Sequence, residues 1–257
     1  MISSEGKPIT LFPLEGLPII RPGDDLVALL AEALRRWGGP QAGDVLVVAQ
    51  KIVSKAEGRF VRLSEVTPSP HALELARITG KDPRLLEVIL WDTAEVLRAR
   101  PGLIIVEHRL GFICANAGVD RSNVAPEGEE IVLRLPEDPD GSARRIREGI
   151  QRRFGVDIGV VIADSHGRAH RKGVIGVAIG VSGLPALEDW RGRPDLFGYV
   201  LQHTEVALGD LLASAATLLL GQAAEGIPAV LIRGVPFTPR ESSARELVRG
   251  RADDLFR

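Results

Sequence analysis

The sequence predicts an α+β protein with mixed sheets, and three observations carry that expectation. Segments with a helical apolar period alternate with short β-type apolar runs; hairpin-like pairs of runs interrupt the alternation; and two Ser/Asp-Pro dipeptides announce a pair of adjacent helices. A regular doubly wound sheet would lack the hairpins, so a mixed sheet fits better. With 257 residues the chain can bury a substantial core, in one domain or in two interlocked smaller units. Apolar residues at 45% and charged residues at 26% match ordinary globular usage and argue against disorder.

The elements follow in order. Asp24 offers a cap to a helix whose Leu26, Leu29, Leu30, Ala33, Leu34 and Trp37 recur at helical spacing until Gly38-Gly39-Pro40 stops it. "DVLVVAQ" (44–50) reads as a buried strand, and a helical turn is expected just after it. Ser69-Pro70 and Asp82-Pro83 each place a cap before proline at the first helical position, with Gly80 between, so an αα pair is expected. "GLIIVEHRLGFICANAG" (102–118) reads as two strands about a turn near Leu110-Gly111, and "EEIVLRLP" (129–136) as another strand. "DPDGSARRIREGIQRRFG" enters a basic helix whose arginines at 144, 145, 147, 152 and 153 read as a solvated face. An apolar strand from 160 is expected to stop at Asp164; a Gly-rich segment (173–183), a long apolar helix around 204–220, the loop "GQAAEG" and a last strand "IPAVLIRGV" complete the chain.

Composition excludes several classes. A net charge of −2 gives no reason to expect nucleic acid. The single cysteine, Cys114, rules out an intrachain disulfide and a multi-cysteine zinc site, and it lies in an apolar run as a packing residue. Glu5 and two prolines interrupt the amino-terminal stretch where a signal peptide would be continuously apolar, and no run approaches the roughly 20 residues of a membrane span. The expectation is a soluble cytoplasmic protein that acts on small molecules.

Three loops share one layout, in which an apolar run delivers the chain to a polar tip. "CANAGVDRSN" carries Asn116, Asp120, Ser122 and Asn123; "IADSHGR" carries Asp164 and Ser165; "LLLGQAAEG" carries Gly221, Gln222 and Gly226. Hard divalent ions take carboxylate, hydroxyl and amide oxygens and leave positions for phosphate, and Asp120, Asp164, Ser165 and Gln222 could supply such ligands. Either aspartate alone reads as an ordinary turn residue, and the Ser165 hydroxyl as a local backbone partner. Lys51 and Lys55, four apart after a strand, could present two ammonium groups to phosphates, although most lysines are simply solvated.

Familiar motifs are absent. There is no G-x-x-x-x-G-K-[ST], and Gly173, Gly176, Gly180 and Gly183 have the wrong spacing for a dinucleotide fingerprint, so they read as sites of close strand packing. His166 and His170 are four apart, but no H-E-x-x-H pattern supports zinc, and "ADSHG" is no nucleophile elbow.

Together "LFPLEGLPII", "KIVSKAEGR", "CANAGVDRSN", "DPDGSA", "ADSHGRAHRKGVIGVAIGVSG", "DLFGY" and "GQAAEGIPAVLIRG" resemble the coenzyme F-420 gamma-glutamyl ligase family in order and separation, over about residues 11–235. The closing "TPRESSARELVRGRADDLFR" looks like a variable tail, and the flavin-binding domain that some relatives carry is not expected. The resemblance implies a single gamma-glutamyl ligase domain over 1–257, α+β, of two interlocked subdomains forming an intertwined homodimer. It implies a GTP-dependent ligase that adds L-glutamate to a phospholactyl deazaflavin precursor, and then adds gamma-linked glutamates, with Mg²⁺ or Mn²⁺ and, in some relatives, K⁺. By position, Asp120 and Asp164 match the metal-binding aspartates, and Ser165 and Gln222 the remaining metal contacts. Asp120 and Asp164, holding metal, and Lys55, stabilising phosphates, are the expected catalytic residues. Leu17, Pro18, Ile19, Ile20, Gln50, Lys51, Lys55, Asn123 and the loop Leu220, Gly221, Gln222, Ala223, Ala224, Glu225, Gly226 and Ile227 match nucleotide-contacting positions. Gln50 and Lys51 depart from the family's usual pair, which leaves the contact there open. Arg168, Arg171 and Lys172 are candidates for gripping anionic substrate. Two rivals stand beside this reading: another metal-dependent phosphate-processing enzyme, and a non-catalytic GTP-binding protein.

Overall fold

A computed structural model describes residues 8–126 and 128–255. The amino-terminal stretch around Glu5, read above against a signal peptide, lies outside the described residues. The strands are β1 (Thr10–Pro13), β2 (Val45–Ala49), β3 (Phe60–Arg62), β4 (Thr93–Arg100), β5 (Leu103–His108), β6 (Ile113–Ala115), β7 (Ile131–Leu133), β8 (Gly159–Arg168), β9 (Arg171–Ser182), β10 (Glu188–Asp189), β11 (Glu205–Val206) and β12 (Ala229–Arg233). The helices are α1 (Leu26–Arg35), α2 (Gln50–Ala56), α3 (Pro70–Thr79), α4 (Pro83–Trp91), α5 (Pro139–Phe154) and α6 (Leu208–Leu220), with four short 3₁₀ turns.

The main sheet has the order β1-β12-β2-β8-β9, with β2 and β8 parallel and the other pairs antiparallel. Its strands are apolar on both faces because helices cover both. Successive side chains of a strand point to opposite sides, so Leu46, Val48, Val160 and Ile162 pack toward α1 and α5, while Val45, Val47, Val161 and Val230 pack toward α6. A second, three-stranded sheet, β4-β5-β6, lies under the α3–α4 pair, with Leu75, Leu86, Ile89, Ile104 and Val106 between them. β3 pairs with β7, and β10 with β11. The structure is therefore mixed α/β with several sheets, as the α+β expectation required.

Local chemistry explains the helix ends. Ser69 accepts from the Ala72 amide and Asp82 from the Arg84 amide, proline occupies the first turn after each, and Gly80 closes α3 at φ +68°. The cap of α1 is Asp25, whose side chain accepts from the Ala28 amide, instead of Asp24, which accepts from Arg21.

Three readings are corrected. The strand through Asp164 does not end there: β8 runs on to Arg168 and turns into β9 as a long hairpin, because its amides keep pairing beyond the buried section. Arg147 is not part of a solvated face; it donates to both oxygens of Asp157 and also pairs with Glu241. Strands β1, β3, β4, β10 and β11 escaped the pattern reading; in β4, "TAEVLRAR" is amphipathic, at least partly exposed throughout, and pairs with two register shifts.

The glycines of β9 do serve close packing. A Cβ at Gly176 would stand 2.2 Å from Thr217 Oγ1 and 2.3 Å from the Ala213 carbonyl of α6, and one at Gly180 would stand 2.4 Å from the Pro139 carbonyl of α5. We expect Gly176→Ala to lower stability in urea unfolding by about 1–3 kcal/mol, because the obstacle includes rigid helix backbone. Full wild-type stability would contradict that packing.

Candidate functional site

At one end of the main sheet the chain encloses a cavity of about 810 Å³. Its walls come from the 17–20 segment, the β2–α2 junction, the loop 120–126, the middle of the β8–β9 hairpin, the last turn of α6 and the loop 221–228. All the residues nominated for metal, nucleotide or catalysis line it: Leu17, Pro18, Ile19, Ile20, Gln50, Lys51, Lys55, Asp120, Asn123, Asp164, Ser165, and Leu220 through Ile227. Arg168, Arg171 and Lys172 do not. They lie at the far end of the hairpin, where Arg168 Nη2 donates to the Lys172 carbonyl at 2.9 Å.

Each side chain is held by its element. Lys51 and Lys55 fall on one face of α2, and Lys51 Nζ lies 3.5 Å from Asp120 Oδ2 and 3.0 Å from the Ser122 carbonyl. Gln50 Nε2 donates to Asp120 Oδ2 at 2.7 Å. Asp120 is itself pinned by reciprocal backbone bonds with Leu133, each at 2.9 Å. Its loop carries left-handed non-glycine backbone at Asn116 (φ +54°), Ala117 (φ +50°) and Asn123 (φ +56°), local strain that the surrounding bonds must override. Asn123 Nδ2 donates to the Ala223 carbonyl at 2.7 Å, and Gln222 Nε2 to Ser165 Oγ at 2.9 Å, so the 221–228 loop is tied to two other walls. Glu225 folds back to accept from the Ala223 amide, and the backbone of Gly221 at φ +71° favours glycine.

The electrostatics suit a bound cation. Burial pushes the Asp120 carboxyl above the ordinary aspartate value; Lys51 opposes this, while the charge of Asp164 adds to it. Asp120 and Asp164 line one cavity, and a divalent ion held there would offset the burial and charge that raise Asp120. Among the described residues no group of three or more His, Cys, Asp and Glu could hold a metal. Two carboxylates with a hydroxyl and an amide nevertheless suit Mg²⁺ or Mn²⁺, which keep positions for water and phosphate. Lys55 is pushed below the usual lysine value by burial and then by Lys51.

Sequence reasoning missed His166 as a partner of Asp164: its Nε2 lies 2.9 Å from Oδ2. The signal was their i, i+2 spacing on one strand face, obscured by the His166/His170 pairing; His170 sits in the hairpin turn at φ +62°. Phe112 packs on His166 at 5.2 Å and stacks on His108 at 5.0 Å. Cys114 is buried, and its thiol is pushed up to about 12 by burial and by Asp164, which suits packing and not nucleophilic attack.

Burial also depresses His108, to about 4, while its Nδ1 accepts from the Leu110 amide at 3.0 Å. A histidine lowered on folding contributes stability that is full above the unfolded value near 6.5 and is lost as pH falls through about 4. We expect an acid-induced loss on the order of 3 kcal/mol across that window, and a flatter stability profile in His108→Asn, which keeps an acceptor but cannot titrate. Parallel profiles for the two proteins would refute the assignment.

The model of the family described as F420-0:Gamma-glutamyl ligase matches residues 16–234. The chain belongs to this family. Among its relatives, proteins named coenzyme F420:L-glutamate ligase are 52% identical in Methanopyrus kandleri, covering 95% of this chain and 97% of the relative. The corresponding protein of Methanothermobacter thermautotrophicus is 46% identical, with 97% and 99% covered, and that of Archaeoglobus fulgidus 43%, with 97% and 96%. The motifs from 11 to 235 coincide with the matched span. Among the described residues no helix is long and apolar enough to cross a membrane.

Proposed function

We propose that this protein is a coenzyme F420:L-glutamate ligase that uses GTP to join glutamate to the phospholactyl deazaflavin precursor and then extends the tail through gamma-carboxylates. The observation that carries the reading is the convergence of Asp120, Asp164, Lys55 and the 221–228 loop on one cavity.

A carboxylate and an amine do not condense usefully in water, so the acceptor's carboxyl must first be activated. Its oxygen attacks the gamma-phosphorus of GTP, GDP departs, and an acyl phosphate forms. The amine of glutamate, having lost a proton to solvent, adds to the acyl carbon; collapse expels inorganic phosphate and leaves the amide. Charge shifts onto phosphate oxygens during transfer, and catalysis rests on positioning and neutralising it. Lys55, on the cavity wall, would meet phosphate oxygens, with Lys51 one helical turn before it. Amides of the 221–228 loop would cradle the phosphates, and Leu17 through Ile20 would enclose the base. Asp120 and Asp164, with Ser165 and Gln222, would hold Mg²⁺ or Mn²⁺, which supplies Lewis-acid neutralisation of the triphosphate; K⁺ is a candidate activator. Gln50 makes its bonds within the protein and would border the nucleotide without reading it.

The homodimer belongs to the same proposal. Leu196 and Phe197, 99% and 96% exposed on the ribbon between β10 and β11, supply an apolar surface that favours it, and light scattering tests it.

Mass spectrometry of the protein incubated with precursor, GTP, Mn²⁺ and glutamate should show successive glutamyl increments. Phosphate release should require both glutamate and the deazaflavin acceptor. GTP hydrolysis indifferent to both would favour a phosphatase, and binding without turnover would favour a sensor.

A further inference from the structure

We propose that Gln50 and His166 are a matched pair of positioning residues, each tethering one oxygen of a cavity aspartate so that its other oxygen is presented to a divalent cation. This rests on the reading of Asp120 and Asp164 as the metal-binding acids.

The two tethers have the same form although they come from different parts of the chain. Gln50 Nε2 meets Asp120 Oδ2 at 2.7 Å, and His166 Nε2 meets Asp164 Oδ2 at 2.9 Å. Both fall on Oδ2, leaving Oδ1 of each acid as the available ligand. Each tether is braced in turn. Gln50 is 3% exposed, and the buried Ser54, one helical turn on, donates its hydroxyl to Gln50 Oε1 at 2.9 Å. That bond turns the amide nitrogen toward Asp120; the flipped amide would set oxygen against a carboxylate oxygen. His166 shares a strand face with Asp164, two residues away, and Phe112 from the β5–β6 turn packs on its ring. A carboxylate free to rotate would lose entropy on binding a metal, whereas a tethered one is already oriented, and partners of this kind commonly set affinity. Gln50 thus has a role beside the nucleotide contact left open above: one amide N–H goes to Asp120 and the carbonyl accepts from Ser54.

The test is Mn²⁺ titration of the purified full chain, followed by electron paramagnetic resonance, without nucleotide and with saturating GDP. His166→Phe and Gln50→Leu should each weaken Mn²⁺ binding by about 10- to 100-fold, with wild-type circular dichroism. His166→Gln, which restores an N–H donor near the Nε2 position, should recover most of the affinity. Ser54→Ala, which frees the Gln50 amide, should give a smaller loss in the same direction and stands in if Gln50→Leu does not fold. The proposal is overturned if both variants bind Mn²⁺ like wild type, if His166→Gln is no better than His166→Phe, or if wild type binds no Mn²⁺ in either condition. Glutamate addition is assayed on the same preparations. Variant-dependent Mn²⁺ affinity in a protein that adds no glutamate refutes the ligase reading alone; glutamate addition with unchanged Mn²⁺ affinity refutes the tethers alone.

Discussion

Asp120→Asn is expected to lower glutamate addition by about 10³-fold or more while raising the thermal midpoint of the metal-free protein. The two effects have one cause. The native environment, chiefly burial and then the neighbouring Asp164 charge against the opposing Lys51, favours the protonated form of Asp120. A carboxyl raised on folding costs stability as pH rises from the unfolded value to the folded one, and the whole cost persists above the latter. Asparagine removes that cost at neutral pH and can still accept from Gln50. It cannot neutralise a divalent ion. The check is a thermal melt with and without Mn²⁺, paired with mass-spectrometric rates. A metal-free midpoint below wild type would contradict the electrostatic account, and undiminished glutamate addition would remove Asp120 from the metal site.

The largest stability loss is expected at Asp92, outside the cavity lining. This carboxylate is 1% exposed and accepts two bonds from Arg134, both at 2.7 Å, with Arg109 Nε at 2.9 Å. Burial alone would push it up, but the two guanidinium groups outweigh burial and hold it below the ordinary aspartate value. Arg134 follows β7, Arg109 follows β5, and Asp92 ends α4, so one acid joins the second sheet to the strand that pins Asp120. Asp92→Ala would strand partly buried cations without a counter-charge, costing about 3–5 kcal/mol. Chemical denaturation checks it: a cost under about 1 kcal/mol would show the pair to be solvated. Glutamate addition should fall as well, because the Asp120 loop loses its support.

How much of this was legible in advance depended on the range of the interactions. The αα pair was readable because Ser69-Pro70, Gly80 and Asp82-Pro83 act on backbone groups a few residues away. The exact cap of α1 was misjudged by one residue because Asp24 and Asp25 are equally suited chemically, and only the chain's entry path separates them. β4 was missed because its amphipathic sequence is stabilised by pairing with β5, a cross-strand effect with no local period. Among site residues, the two aspartates and the Gly221–Gly226 loop could be nominated from residue type and family resemblance. The bond from Gln50 to Asp120 could not be read there, since it spans a large sequence separation.

From residue order alone come the mixed helix and strand content, the packing role of the β9 glycines, the inert Cys114 and the set of polar tips. Folding in three dimensions settles what those tips face. It carries β8 past Asp164 into a hairpin, directs His166 toward that acid, takes Arg168 and Lys172 away from the cavity, and buries Asp120 beside a like charge. The division has a physical origin: caps, turns and apolar periodicity act over a few bonds, whereas desolvation and hydrogen bonding between distant segments exist only once the core has brought them together.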